Sequence, residues 1–91
     1  MRLEEQIQII DSIIPQVCEM AEVSIDELRS NKKTHILVAA RVYIVRLAVK
    51  KKVVLRLIQD RINRKRGVVL HYLHDYKETF DYEMLKYKLE K

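Results

Sequence analysis

The chain has 91 residues, of which 48% are hydrophobic and 34% charged, with one glycine, one proline and one cysteine. This length allows a single domain with one modest core, and the scarcity of turn-forming residues favours helices over β-hairpins. One glycine cannot supply a dinucleotide-binding or P-loop motif, and one cysteine cannot form an intrachain disulfide, which favours a reducing, cytoplasmic location.

The net charge of +5 is concentrated in the middle of the chain. Residues 1–31 carry two cations and seven acids, a net charge of −5, whereas residues 32–66 carry twelve cations and one acid, a net charge of +11. Residues 67–91 have a net charge of −1. Such a basic block indicates a surface that binds a polyanion such as nucleic acid, and a solvated basic face is the alternative.

No segment has the pattern of an export signal or a membrane span. The N-terminal stretch MRLEEQIQII has acids where a signal peptide carries cations. The longest uncharged run falls far short of the roughly 20 residues that cross a bilayer. We therefore expect no membrane partner.

Apolar residues recur at helical spacing over residues 3–21, with Pro15 inside the pattern. Either one kinked helix spans the segment, or a helix begins at Asp11–Ser12 with the proline in its first turn. We prefer the second interpretation, which makes residues 1–10 a helical extension and residues 11–91 a single helix-turn-helix domain. The stripe is also suited to a homodimer seam, although packing onto its own domain is the simpler use.

A capping box and a long apolar run follow in the chain. The stretch SIDEL predicts a short helix, because Ser24 can cap it and Glu27 can bond back, with Ile25 and Leu28 inward. After a basic loop, the nearly continuous apolar run from Thr34 to Val49 predicts a central helix around which the others pack.

Three further helices are predicted after the central one. A short helix includes Val54 to Ile62, a second runs from about Arg66 to Thr79, and Asp81 can cap a third. Their inward residues are expected to be Leu55, Ile58, Ile62, Val69, Leu73, Tyr76, Phe80, Met84, Leu85 and Leu89. The expected fold is all-α, a small bundle of five to six helices.

The joint NRKRG separates two of these helices and is strongly basic. Two helices joined by a three- or four-residue turn are the parts of a helix-turn-helix, whose second helix enters the major groove of DNA. Cations at its start would meet phosphates or guanine edges, and Val68 would touch a thymine methyl. Gly67, His71 and Asp75 are expected on the same outward face.

From about Ile13 to Leu89 the sequence resembles the C-terminal DNA-binding domain of the bacterial replication initiator DnaA, which has a Trp-repressor-like helix-turn-helix fold. The resemblance rests on VSIDEL, on ARVYIVRLA, on the apolar spacing of the next helix and on NRKRGVVLH. In the last stretch the family signature is matched by Arg64, Val69, Leu70 and His71. The base-reading residues of the family are replaced at Lys65–Val68. The resemblance implies binding to double-stranded DNA and a role in replication initiation.

The resemblance also implies that loop cations and an early arginine of the central helix reach phosphates and the minor groove, which would be Lys32, Lys33 and Arg41. For Arg41 the alternative is a residue at the core edge that extends to solvent. Lys50, Lys51 and Lys52 are expected to line the DNA backbone beside the first motif helix, and capping of the preceding helix is the alternative. The full set expected at DNA is Lys32, Lys33, Arg41, Lys50, Lys51, Lys52, Arg56, Arg61, Arg64, Lys65, Arg66, Gly67, Val68 and His71.

Other chemistries have weaker signals. His71 and His74 have the spacing of two metal ligands on one helix. Cys18 lies in an apolar stripe that is typical of a core. No catalytic triad or carboxylate dyad is present, so we expect no enzyme, no cofactor, no metal and no small-molecule substrate. The protein is expected in the cytoplasm, associated with the nucleoid. A transcriptional regulator that uses the same surface, and a helical module that docks on an acidic protein, are the alternatives.

Overall fold

Six α-helices and no strand make up the protein in the computed structural model, which describes residues 1–91. The helices are α1 (Leu3–Ala21), α2 (Ile25–Arg29), α3 (His35–Lys50), α4 (Leu55–Ile62), α5 (Arg66–His74) and α6 (Phe80–Glu90). The all-α prediction is confirmed, and the dimensions of the bundle are 35 × 28 × 24 Å. None of the helices is both long and apolar enough to cross a membrane.

Helix α3 is the centre of the bundle and packs against all five other helices. Its alanines and β-branched residues are buried on nearly every side, including Ala39, Ala40, Val42, Ile44 and Val45. Small alanines allow neighbouring helices to approach closely, and a helix that is apolar all round is stable only when it is enclosed. The predicted central helix is therefore confirmed.

Helix α1 is continuous from Leu3, so the preferred start at Asp11–Ser12 is wrong. A proline inside a helix costs about 3 kcal/mol. Burial of an isoleucine or valine side chain contributes about 1.5–3 kcal/mol, and Ile10, Ile13, Ile14 and Val17 are all buried, so packing outweighs the lost hydrogen bond. The same burial places most of the apolar stripe against its own domain.

Short helix α2 has the predicted capping box. The Glu27 N–H donates to Ser24 Oγ at 3.0 Å, and the Ser24 N–H donates to Glu27 Oε1 at 3.1 Å. This bond from the Ser24 backbone lowers the pKa of the Glu27 carboxyl. Leu28 is fully buried as expected, whereas Ile25 is exposed, because a five-residue helix buries only one side.

Three helices end in left-handed residues that are not glycine, namely Glu22, Lys52 and Asn63. Each end has the paired backbone bonds of a Schellman motif. After α4, for example, the Asn63 N–H donates to the Asp60 carbonyl at 3.3 Å, and the next N–H donates to the Gln59 carbonyl at 3.0 Å. These ends explain how a chain with one glycine makes sharp turns.

Helix α5 is shorter than predicted because Arg46 of α3 occupies the carbonyls at its end. The guanidinium donates to the carbonyls of Tyr72 and Tyr76 at 3.1 and 3.2 Å and to Glu78 at 3.1 Å. It also lies over the rings of Tyr76 and Tyr82, at 5.7 and 5.2 Å from their centroids. These contacts hold the chain in a non-helical connection to α6.

The start of α6 also differs from the prediction. Thr79 caps the helix by accepting from the Tyr82 N–H at 3.2 Å, in place of Asp81. The helix is consequently rotated so that Tyr82 is buried, while Phe80 and Met84 are exposed, contrary to the inward positions expected for them.

Candidate nucleic-acid interface

Helices α4 and α5 are joined by a three-residue turn, Asn63-Arg64-Lys65. The turn and the last turn of α4 are each bonded to the end of α2. Asn63 Nδ2 donates to the Arg29 carbonyl at 2.9 Å, and Arg29 Nη2 donates to the Asp60 carbonyl at 3.3 Å. The angle between α4 and α5 is therefore supported from outside the pair.

Arg64 is half-buried and holds this turn in place. Its Nη2 donates to the Ser30 carbonyl at 2.7 Å, and its Nη1 donates to the Asn63 carbonyl at 2.9 Å. Sequence reasoning placed this residue at phosphates or guanine edges. In the structure part of its donor capacity is used within the protein, and the remainder faces the groove described below.

Arg41 has no exposed surface, so the expected contact with phosphate or the minor groove is wrong. Its Nε donates to the Leu28 carbonyl at 2.8 Å, and its Nη2 donates to the carbonyls of Glu27 and Ser30 at 3.1 and 3.2 Å. Burial, with a smaller contribution from the Arg64 cation, lowers the pKa of Arg41. Its position at the carbonyl end of α2 favours a cation electrostatically.

A polar groove of about 770 Å³ runs along α4 and the start of α5, with no hydrophobic side chain in its lining. Arg56, Lys65 and Arg66 are exposed there, and none of them forms an ion pair within the chain. The lining consists of Asn31, Arg56, Gln59, Asp60, Asn63, Arg64, Lys65 and Arg66. The only acid among these residues is Asp60, which pairs with Arg61.

The N-terminus of α5 lies at this groove and lacks the capping and acidic side chains that usually offset its partial positive charge. Lys65 stands at the cap position without a side-chain cap, and the first turn contains no acid. The partial positive charge of a helix N-terminus is therefore reinforced by the cations around it. Free amide donors combined with positive charge make such an end suited to anions.

Gly67 follows in the first turn of α5 and has no internal reason to be glycine. Its φ is not positive, and a Cβ added to it would meet nothing within 4 Å. Glycine in a helix is less stable than alanine by about 0.5–1 kcal/mol. The position is thus a bare stretch of backbone that an outside molecule can approach.

The outward face of α5 differs from the expected one. Val69 and Tyr72 are buried, and Val68 packs against the core, so it is poorly placed for the expected thymine contact. Leu70 is half-exposed and is not packed on the core, and it shares the outward side with His71. Sequence reasoning missed Leu70 because it chose an inward stripe that continued past the true end of the helix.

Several predicted cations lie away from the groove. Arg61 bonds to Asp11 of α1 at 2.8 Å, which raises the pKa of Arg61 and fastens α1 to α4. Lys51 lies beside α1, and Lys50 lies beside the α3–α6 contact that includes Lys86. These side chains are not gathered with Arg56, Lys65 and Arg66.

The remaining predicted lysines are exposed but also stand apart from the lining of the groove. The Nζ of Lys32 lies 3.8 Å from the Oε2 of Glu27. Lys33 is exposed in the loop before α3, and Lys52 is the left-handed residue that ends α3. No three histidine, cysteine, aspartate or glutamate side chains are arranged to hold a metal ion. In the groove, unpaired cations, polar amides and the N-terminus of α5 lie together.

Comparison of the chain with protein-family models, with curated proteins and with solved structures gives no match. The resemblance to the initiator domain therefore stays a prediction.

Proposed function

We propose that the protein binds double-stranded DNA through α4 and α5, which act as a helix-turn-helix. The observation that carries the proposal is the set of unpaired cations Arg56, Lys65 and Arg66 at the uncapped start of α5. Three adjacent cations without acidic partners repel one another and the helix dipole. A phosphate backbone relieves that repulsion and releases counterions.

The dimensions of α5 suit the major groove. An α-helix with its side chains is roughly 10–12 Å across, and the major groove is about 12 Å wide, so α5 can lie within it. With α5 in the groove, α4 crosses the backbone, so Arg56 contacts phosphate. Because Gly67 exposes bare backbone, the start of α5 can approach the DNA closely.

Base contacts come from the outward face of α5. Arg66 can bond to the N7 and O6 atoms of guanine, and Leu70, one turn further along the helix, can pack on a thymine methyl beside the exposed His71. Replication initiation, which the resemblance implies, and transcriptional regulation would use this same face. Selection of bound sequences from a random duplex library distinguishes a sequence-preferring binder from a non-specific one.

The test is a titration of labelled duplex DNA followed by fluorescence anisotropy at about 50 to 200 mM salt. The logarithm of affinity should fall with the logarithm of salt at a slope of about −3 or steeper, since each phosphate contact contributes about −0.9. Absence of duplex binding at the lowest salt, together with binding to an acidic protein, would favour an interaction module instead.

A matched pair of triple variants locates the surface. Changing Arg56, Lys65 and Arg66 to alanine should make the salt slope shallower by about 2 to 3. Changing Lys50, Lys51 and Lys86 to alanine lowers the net charge from +5 to +2, the same as the first variant, but should leave most of the affinity intact. Equal losses in the two variants would contradict the assignment of the groove.

A further inference from the structure

Helix α6 carries large apolar side chains on two opposite faces. Tyr82 and Leu85 are buried against the core, while Phe80, Met84 and Tyr87 are exposed at 75%, 40% and 63%. The three exposed residues are spaced by four and then three positions, so they form one stripe along the helix. None of these three side chains belongs to the hydrophobic core.

The stripe has the register of a coiled-coil seam. In heptad notation Phe80, Met84 and Tyr87 occupy positions d, a and d. Glu83 then falls at position g and Lys88 at position e, one on each flank of the stripe. Both are exposed, and neither forms an ion pair within the chain.

We propose that this face of α6 binds the same face of a second copy of the chain, with the two helices parallel. In parallel helices the g flank of one meets the e flank of the other, which pairs Glu83 with the partner's Lys88 twice by symmetry. In antiparallel helices g would meet g, which opposes Glu83 to the partner's Glu90, and e would meet e, which pairs Asp81 with the partner's Lys88 and offsets that repulsion. Only the parallel arrangement combines attraction with no opposing repulsion, so charge complementarity favours a second copy in that orientation.

The contact is small, since three large side chains per copy form its centre. Interfaces that bury less than about 1,200 Å² in total are typical of transient association. We expect a monomer when dilute and a dimer when concentrated. This inference does not rest on DNA binding, because the seam and the polar groove share no residue.

Sedimentation equilibrium over about 10 μM to 1 mM protein tests the self-association. Met84→Glu should raise the dissociation constant by about tenfold or more, because it buries charge in the seam. Lys86→Ala, which changes the net charge equally on the same helix, should have little effect. A monomer throughout this range, or equal effects of the two changes, would overturn the proposal. Thermal unfolding checks that both variants fold.

Charge exchange tests the orientation. Glu83→Lys and Lys88→Glu should each weaken the dimer by about two- to fivefold, and the double variant should restore it. Strengthening by Glu83→Lys alone would indicate an antiparallel contact, and either that result or no effect of any of the three variants would overturn the parallel dimer.

Cross-linking gives an independent measure of the same geometry. Met84→Cys places a cysteine opposite itself in the parallel dimer, where oxidation should form a covalent dimer. Lys86→Cys lies away from the seam and should cross-link much less. Cys18 should not interfere, because it is buried and burial raises the pKa of its thiol. Equal cross-linking of the two variants would contradict the seam.

Discussion

Arg41 shows how a cation can be accommodated in a core without a carboxylate. Three carbonyl groups, of Glu27, Leu28 and Ser30, accept from its guanidinium, and the Ser30 carbonyl also accepts from Arg64. The buried arginine thereby orders the end of α2, which in turn supports the turn before α5. Its role at the proposed interface is structural support.

Replacement of Arg41 by alanine should lower the free energy of unfolding by about 3 kcal/mol or more, because buried carbonyls lose their donors. Urea denaturation measures the change. Lys33→Ala, an exposed loop substitution, should stay within about 0.5 kcal/mol. A small effect at Arg41 would mean that the guanidinium is not held in the core.

Gly67 offers a test in which stability and binding move in opposite directions. Gly67→Ala should stabilise the fold by about 0.5–1 kcal/mol, since the added methyl meets no neighbour and helical propensity improves. The same methyl should weaken duplex binding if the DNA backbone approaches this position. Thermal unfolding and anisotropy titration on the same samples measure the two effects, and unchanged affinity would argue against close approach.

Tyr43 provides a test of burial in the core beneath α6. Burial, followed by the hydrogen bond to Glu90, raises the pKa of Tyr43 to about 12. A phenol whose pKa is raised on folding contributes stability that is present below pH about 10 and lost as the pH rises through about 12. Ultraviolet titration should show a late-ionising tyrosine component, and that component should be missing from Tyr43→Phe. Its persistence in that variant would assign it elsewhere.

At the scale of elements, the three left-handed helix ends differ in what their side chains do. Lys52 uses only its backbone there, whereas the Asn63 amide also donates to the Arg29 carbonyl. An L-residue in this conformation costs about 1–2 kcal/mol relative to glycine, less for asparagine. The two ends should therefore respond differently to the same substitution.

Lys52→Gly should stabilise the protein by up to about 1 kcal/mol, because strain is removed and no side-chain bond is lost. Asn63→Gly should give no gain, or a loss of about 1 kcal/mol, because the bond to Arg29 disappears. Chemical denaturation of the two variants in parallel measures the difference. Equal stabilisation would show that the asparagine bond contributes nothing.

The helices that sequence analysis located best are those with local end signals. Ser24 and Thr34 cap α2 and α3 within the same few residues, so their starts could be read from the chain. The end of α5 depends on Arg46, which is distant in sequence and donates to carbonyls that every residue carries. Such a partner leaves no pattern in the sequence.

At the scale of the whole molecule, packing places the cations of the basic block on different surfaces of the bundle, which the charge count alone could not distinguish. Arg56, Lys65 and Arg66 converge because α4 and α5 meet at a short turn. Arg61, from the same helix as Arg56, points to Asp11 on α1, and Arg41 faces inward. The location of the basic block was thus predictable, but the members of the candidate site were not, since they depend on the rotation of each helix.

The side chain of Gln6 limits how far the chain can be truncated from its N-terminal side. Its Oε1 accepts from the Val54 N–H at 2.9 Å, so a residue near the beginning of the chain supplies a cap that α4 lacks locally. A fragment that starts at residue 11 would lose this bond and half of α1. A fragment that keeps this capping bond to α4 therefore begins before Gln6.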